Sequence, residues 1–150
     1  MSEHLATIVW VRDGDFAANR YGRGHAWRFD GGAEVRASSS PHIVAPPLSD
    51  PAGVDPEEAL VASASSCHML WFLDLARQAG FAVERYRDAA QGTMGRDAEG
   101  RTAMLRITLR PEIEFSGPAP DAARLAALHE AAHARCFIAN SLRTEVVVER

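Results

Sequence analysis

The chain has no lysine; all sixteen of its basic residues are arginine, which we read as genome composition rather than function. Set against twenty acidic residues, they leave a formal net charge of −4, and the basic footprint of a nucleic-acid-binding protein is missing. Cysteine is scarce too, with only Cys67 and Cys136. In a reducing compartment a structural disulfide is a poor default, so the two thiols are either inert or chemically employed. No apolar run is expected to reach membrane-spanning length. The start, MSEHLATIVW, lacks the basic stretch followed by an apolar stretch that marks a secretion signal. There is no internal repeat and no low-complexity tract. These absences predict a cytoplasmic protein with no membrane or nucleic-acid partner. What is present is a hydrophobic content of 47% in 150 residues, enough for one domain over 1–150 with a sizeable core.

The order of elements reads as α+β. Strands are expected over 4–12 and 24–37, with a turn at Gly31 and Gly32. Residues 38–54 carry four of the eight prolines and predict a long loop, a place where function often resides. A helix should begin at Asp55, where Pro56 suits the first position and Glu57 and Glu58 favour the positive end of the dipole. Gly80 should end it after Gln78. Strands are expected around 82–94 and over TAMLRITLRPEIEF, which alternates well over 104–109. Asp121 should cap a second helix, AARLAALHEAAHAR. A short helix at CFIANSL and a closing strand, TEVVVE, complete the layout.

From Ala59 to Leu75 the first helix is apolar or small on nearly every face, ALVASASSCHMLWFLDL. A helix apolar all round is buried on all sides. A domain of this size surrounds such a helix poorly, which predicts packing against a second copy of the chain. The stripe expected at that interface is Leu60, Ala64, Trp71 and Leu75. Cys67 lies in the middle of this helix. Cys136 follows the second helix beside Arg135, a setting that favours ionisation of a thiol.

Residues 129–137 read HEAAHARCF, and the first five match the H-E-x-x-H pattern of zinc proteases. His129 and His133 are four apart and share a helix face, with Cys136 as a possible third ligand and Glu130 as general base. A zinc hydrolase is thus one reading. The competing one is a solvated face of an amphipathic helix whose Leu125, Leu128 and Ala132 point inward, with both histidines on the surface.

DPEEALVASASSCHMLWFLDLARQAGF resembles the signature helix of the OsmC/Ohr family of thiol-dependent peroxidases, and ARCFIANSLRTEV resembles its second cysteine motif. The order of strands and helices is similar over almost the whole chain. The resemblance implies antiparallel sheets wrapped around central helices in an intertwined homodimer. It implies reduction of organic hydroperoxides without a metal or other cofactor. Cys67 would be the peroxidatic thiolate that becomes a sulfenic acid, and Cys136 the resolving thiol that closes a Cys67–Cys136 disulfide. An external dithiol, lipoyl-type in the family, would restore both.

Such chemistry needs a thiolate, and an unperturbed thiol, with a pKa of about 8.5, is mostly protonated at neutral pH. The family supplies an Arg held by a Glu. Glu57 matches that Glu, but in one straight helix it would lie roughly 15 Å from Cys67. Either the segment folds back or a second subunit supplies the group. The loop 38–54 holds no Arg. NRYGRGHAW offers Arg23 and, next, Arg20; His42 is the cationic candidate inside the loop. His68 points about 100° around the helix from Cys67 and reads as structural. Met69, Trp71 and Phe72 suit an alkyl group or the core equally well. A non-catalytic relative that binds a thiol or a small apolar ligand is the remaining alternative.

Overall fold

The computed structural model describes residues 1–149, and the chain divides into two compact units, Met1–Ala59 and Leu60–Arg150. The first unit is built on β1 (Ala6–Val9), β4 (His25–Phe29) and β5 (Glu34–Ala37), an antiparallel sheet in the order β1-β4-β5. Trp27 stands opposite both Ile8 and Val35, so this face is registered by apolar cross-strand pairs. The strands expected over 4–12 and 24–37 are present but shorter. Between them lies an unexpected hairpin, β2 (Gly14–Asp15) and β3 (Arg20–Tyr21). Its turn is local chemistry: Asp15 Oδ1 accepts the Ala18 N–H at 3.1 Å, and Asn19 sits at φ 56°, a left-handed conformation that asparagine tolerates.

The 38–54 segment is a loop, as expected, tied down by polar contacts. The Asp50 N–H donates to Ser38 Oγ at 2.9 Å, Arg36 pairs with Asp50 at 2.5 Å, and Ala37 bridges Val54. The first helix, α1, runs unbroken over Pro56–Gln78. Its start is a capping box in which the Glu58 N–H donates to Asp55 Oδ1 (2.8 Å) and the Asp55 N–H to Glu58 Oε2 (3.1 Å). At its end Gly80, at φ 85°, closes a Schellman motif, with Phe81 N–H on Ala76 O (3.0 Å) and Gly80 N–H on Arg77 O (3.1 Å). By length and composition alone α1 is sufficient to cross a membrane. That corrects the expectation that no run reaches this length.

The second unit holds β6 (Ala82–Asp88), β7 (Gln91–Arg96), β8 (Thr102–Leu109), β9 (Pro111–Ser116), α2 (Ala122–Arg135), α3 (Phe137–Asn140) and β10 (Glu145–Val148). The two strands expected between the helices are four. Each is cut at a corner, at Ala89–Ala90 and at Arg110, so that β6 pairs β9 while β7 pairs β8. Asp88 Oδ1 accepts the Arg110 N–H at 2.6 Å and pins the two corners together. The pairing of β10 with β8 is parallel, with β9, α2 and α3 forming the crossover.

Two apolar clusters fill this unit. One is Ala64, Ile107, Leu109 and Val146, with Leu60 among the residues packed against it. The other is Phe72, Ala76, Leu128 and Ala132, flanked by Trp71, Leu75 and Leu125. Ala64, His68, Phe72 and Ala76 form the buried i, i+4 stripe of α1. Of the expected interface stripe, Ala64 is fully buried in the chain's own core, while Leu60, Trp71 and Leu75 pack against it but stay partly exposed. The face of α1 left open carries Ala62, Ser66 and Leu70, the last 61% exposed. Phe72 likewise belongs to the core rather than to an alkyl pocket.

Candidate functional site

Cys136 occupies a hinge between two helices. Its N–H caps α2 on His133 O, and its Sγ accepts the Ala139 N–H at 3.4 Å as the N-cap of α3. It is buried, at 1% exposure, while Cys67 on α1 is half-buried, and both are free thiols. Cys67 lies close enough to act on the Cys136 thiol, although 69 residues separate them in sequence. Burial pushes the Cys136 thiol above its usual pKa; the Ala139 N–H pulls it down, and the adjoining Cys67 adds to the rise. The expectation that Cys136 ionises readily is corrected, since desolvation outweighs the helix N-terminus and keeps this thiol protonated.

Trp71, one turn after Cys67, stands edge-on to Phe137 with ring centroids 5.4 Å apart. The Arg135 guanidinium lies 5.7 Å from the same indole centroid. Phe137 is 68% exposed, so an aromatic wall lies open next to the thiols.

The histidines of HEAAH part company. His133 is exposed, as expected, but His129 is buried and its Nδ1 lies 3.0 Å from Nε2 of the fully buried His68. The surface reading of His129 is corrected: α1 presents a polar partner at that point, which sequence periodicity does not reveal. Among the described residues no three His, Cys, Asp or Glu side chains converge as metal ligands. The donor set required by the zinc reading, with His129 turned to His68 and His133 to solvent, is not assembled.

The first unit contains a pocket of about 440 Å³. Ile8, Trp10, Phe16 and Tyr21 form its apolar side, and Arg23, His25 and Glu57 its charged and polar side. The Arg23 guanidinium lies 3.6 Å from the Tyr21 ring centroid and donates to Tyr21 O (2.5 Å) and Asn19 Oδ1 (2.8 Å). Glu57 Oε2 is buried without a hydrogen-bond partner. Among the described residues no ion pair joins Arg23 to Glu57. Arg20 is outside the pocket, 3.9 Å from Asp15 with its side chain 74% exposed. His42 does not line it either.

His25 was not anticipated from sequence. Its Nε2 accepts from Trp27 Nε1 at 3.0 Å, so its Nδ1 carries the proton and donates to Arg23 O at 2.8 Å. The signal available was a cluster of aromatics around a glycine-rich turn, Trp10, Phe16 and Tyr21, whose rings lie within 6.1 Å of one another.

Residues 49–150 match the OsmC-like protein family, and the chain belongs to it. It is similar to an OsmC-like protein of unknown function from Vibrio cholerae, at 49% identity with a TM-score of 0.97, over 99% of each chain. An organic hydroperoxide resistance protein from Elizabethkingia anophelis shares the fold, at 18% identity with a TM-score of 0.71, over 100% of this chain and 97% of that one. So does the organic hydroperoxide resistance protein OhrB of Bacillus subtilis, at 19% identity with a TM-score of 0.68, over 97% and 96%. No curated protein matches the sequence.

Proposed function

We propose that the chain is a thiol-dependent peroxidase that reduces organic hydroperoxides as a cytoplasmic homodimer. The observation that carries this reading is the proximity of Cys67 to Cys136, a half-open thiol whose neighbourhood helps keep a buried one protonated. In the first step the Cys67 thiolate attacks the terminal hydroperoxide oxygen. The O–O bond breaks, Cys67 becomes a sulfenic acid, and the alkoxide takes up a proton to leave as the alcohol. In the second step the Cys136 sulfur displaces that hydroxyl, closing the Cys67–Cys136 disulfide and releasing water. An external dithiol reduces the disulfide and is itself oxidised; a lipoyl-type dithiol is the reductant the family resemblance suggests.

Arg23 and Glu57 are assigned to activation of the thiolate and to binding the hydroperoxide, with Arg20 as a solvated neighbour. Their support is the shared pocket, whose apolar wall suits an alkyl or aryl group better than hydrogen peroxide. The unbroken course of α1 from Pro56 supports a Glu57 supplied by a second subunit over one folded back. The proposal is therefore that the Arg23–Glu57 pocket serves the thiols of a second copy. Steady-state turnover of cumene hydroperoxide and of hydrogen peroxide tests the reading, with dihydrolipoamide and then thioredoxin as reductant. Turnover of the organic substrate with the dithiol supports it.

One observation favours a non-catalytic binder of the same fold: the Arg23 donors are engaged by Tyr21 and Asn19 rather than by Glu57. On that reading the pocket binds an apolar ligand, and neither peroxide is consumed.

A further inference from the structure

His68 and His129 form a contact that the proposed peroxide chemistry does not use. Their rings are nearly parallel, at 9°, with centroids 5.3 Å apart and Nε2 to Nδ1 at 3.0 Å. Two parallel rings at that centroid separation bring nitrogens to 3.0 Å only by lying in one plane, edge to edge. The contact is thus a straight N–H···N hydrogen bond rather than a face-to-face stack. It is buried, with His68 at 0% and His129 at 5% exposure. Phe72 covers the flat face of His129, at 4.5 Å between centroids.

The direction of the bond follows from the second nitrogen of His68. That Nδ1 is buried and has no partner. A buried, unpaired N–H is rarer and costlier than an unpaired lone pair. His68 therefore carries its proton on Nε2 and donates it to His129 Nδ1. Burial, with His129 and His133 adding to it, holds the His68 pKa down to about 4, so the ring is neutral at physiological pH.

The bond joins the helices that carry the two thiols. His68 immediately follows Cys67 on α1, and His129 lies seven residues, about two turns, before Cys136 on α2. An apolar contact leaves a helix free to slide or roll by a fraction of an ångström. A buried hydrogen bond with one donor and one acceptor does not, because leaving both groups unpaired is expensive. We infer that the His68–His129 hydrogen bond is the positioning clasp that sets α2 against α1 so that Cys136 meets Cys67, and that it governs the rate at which the disulfide closes.

This inference deepens the peroxidase reading, since it concerns that reading's second step, and its test avoids peroxide so that the two fail separately. The probe is diamide at one equivalent per protein. Its N=N bond takes up two electrons and two protons as the two thiols become one disulfide. The rate of Cys67–Cys136 bond formation is followed by stopped-flow thiol loss and by mass spectrometry of the non-reduced digest.

The informative comparison is His129→Asn against His129→Gln. Asparagine places Oδ1 where the histidine Nδ1 accepts; glutamine carries its amide one bond too far. The expected result is near-wild-type closure in His129→Asn and closure about tenfold slower in His129→Gln, the scale of one lost hydrogen bond. His68→Gln, whose amide donates from the Nε2 position, should close at a rate close to wild type. His129→Leu, which removes the acceptor and keeps the volume, should be slow with both thiols still alkylated by a monofunctional maleimide. Equal closure rates in His129→Asn and His129→Gln would overturn the inference, as would a rate in His129→Leu equal to wild type. Should His129→Leu fail to fold, the Asn and Gln pair decides alone. Loss of peroxide turnover with diamide closure intact points instead to failure of the peroxidase reading.

Discussion

The second unit buries Phe72, Ile107 and Leu109 completely, whereas Ala37 is the one fully buried apolar residue among Met1–Ala59. In that first unit Ile8, Val11, Phe16 and Ile43 are exposed, and the buried side chains are small and polar: Ser38, Ser40, Ser49 and Asp55. One unit is held by a core and carries the thiols. The other is held by strand pairing and a hydrogen-bonded loop, and it carries an open apolar pocket beside Arg23 and Glu57. An apolar surface of that kind marks a binding face. The difference is one of construction: the second unit holds both thiols in a packed core, and the first leaves an apolar face open.

The largest expected effect lies in the second unit. Cys67→Ser should abolish peroxide reduction, because the attacking atom is gone, while Cys136→Ser should spare a single turnover and leave Cys67 as a sulfenic acid. Trapping with dimedone after one equivalent of cumene hydroperoxide checks both. Equal loss in the two variants would erase the asymmetry between a half-open and a buried thiol.

Stability should divide along the same line. Phe72→Ala should cost about 4 kcal/mol through transfer and cavity terms, whereas Phe16→Ala, at 54% exposure, should stay within about 0.5 kcal/mol by urea denaturation. Comparable losses would break the comparison.

Acid should act on the second unit through His68. Its folded pKa of about 4 lies below the unfolded value of 6.5, so the unfolded chain binds the extra proton. Stability is therefore fully present above pH 6.5 and is lost as pH falls towards 4, by on the order of 3 kcal/mol. The groups facing this ring are His129 and His133 on α2 and Asp88 on β6, and only Asp88 opposes the downward shift. His68→Gln should flatten that slope in urea titrations at a series of pH values. An unchanged slope would assign the acid response to other groups.

In the first unit Arg23→Met should lower turnover by about a hundredfold if its charge stabilises the reacting centre. Arg20→Ala should leave it unchanged, its side chain being solvated. The smallest effect belongs to the arginine–glutamate ladder between β6 and β9: breaking Arg87–Glu112 (3.0 Å) should cost less than about 1 kcal/mol.

Much of this was legible in the sequence because local chemistry wrote it there. Asp55 with Glu58, Gly80 and Asp121 marked the helix ends within a residue, and Leu128 and Ala132 turned inward as their spacing required. The Cys67 and Cys136 motifs marked the family. The corners at Ala89–Ala90 and Arg110 were not legible, because changing sheet is decided by which strands pair, not by propensity. Nor was His129: a histidine reads as polar until the facing helix supplies His68. The two-residue strands of the first unit are too short to leave a period.

The most direct test of the account is the state of the two sulfurs after one equivalent of organic hydroperoxide. Mass spectrometry of the non-reduced digest should show a single intramolecular disulfide joining the Cys67 and Cys136 peptides, with neither thiol left free. A Cys67 peptide that stays a free thiol while Cys136 alone oxidises would reverse the two roles. If neither cysteine reacts, the chain is not a peroxidase.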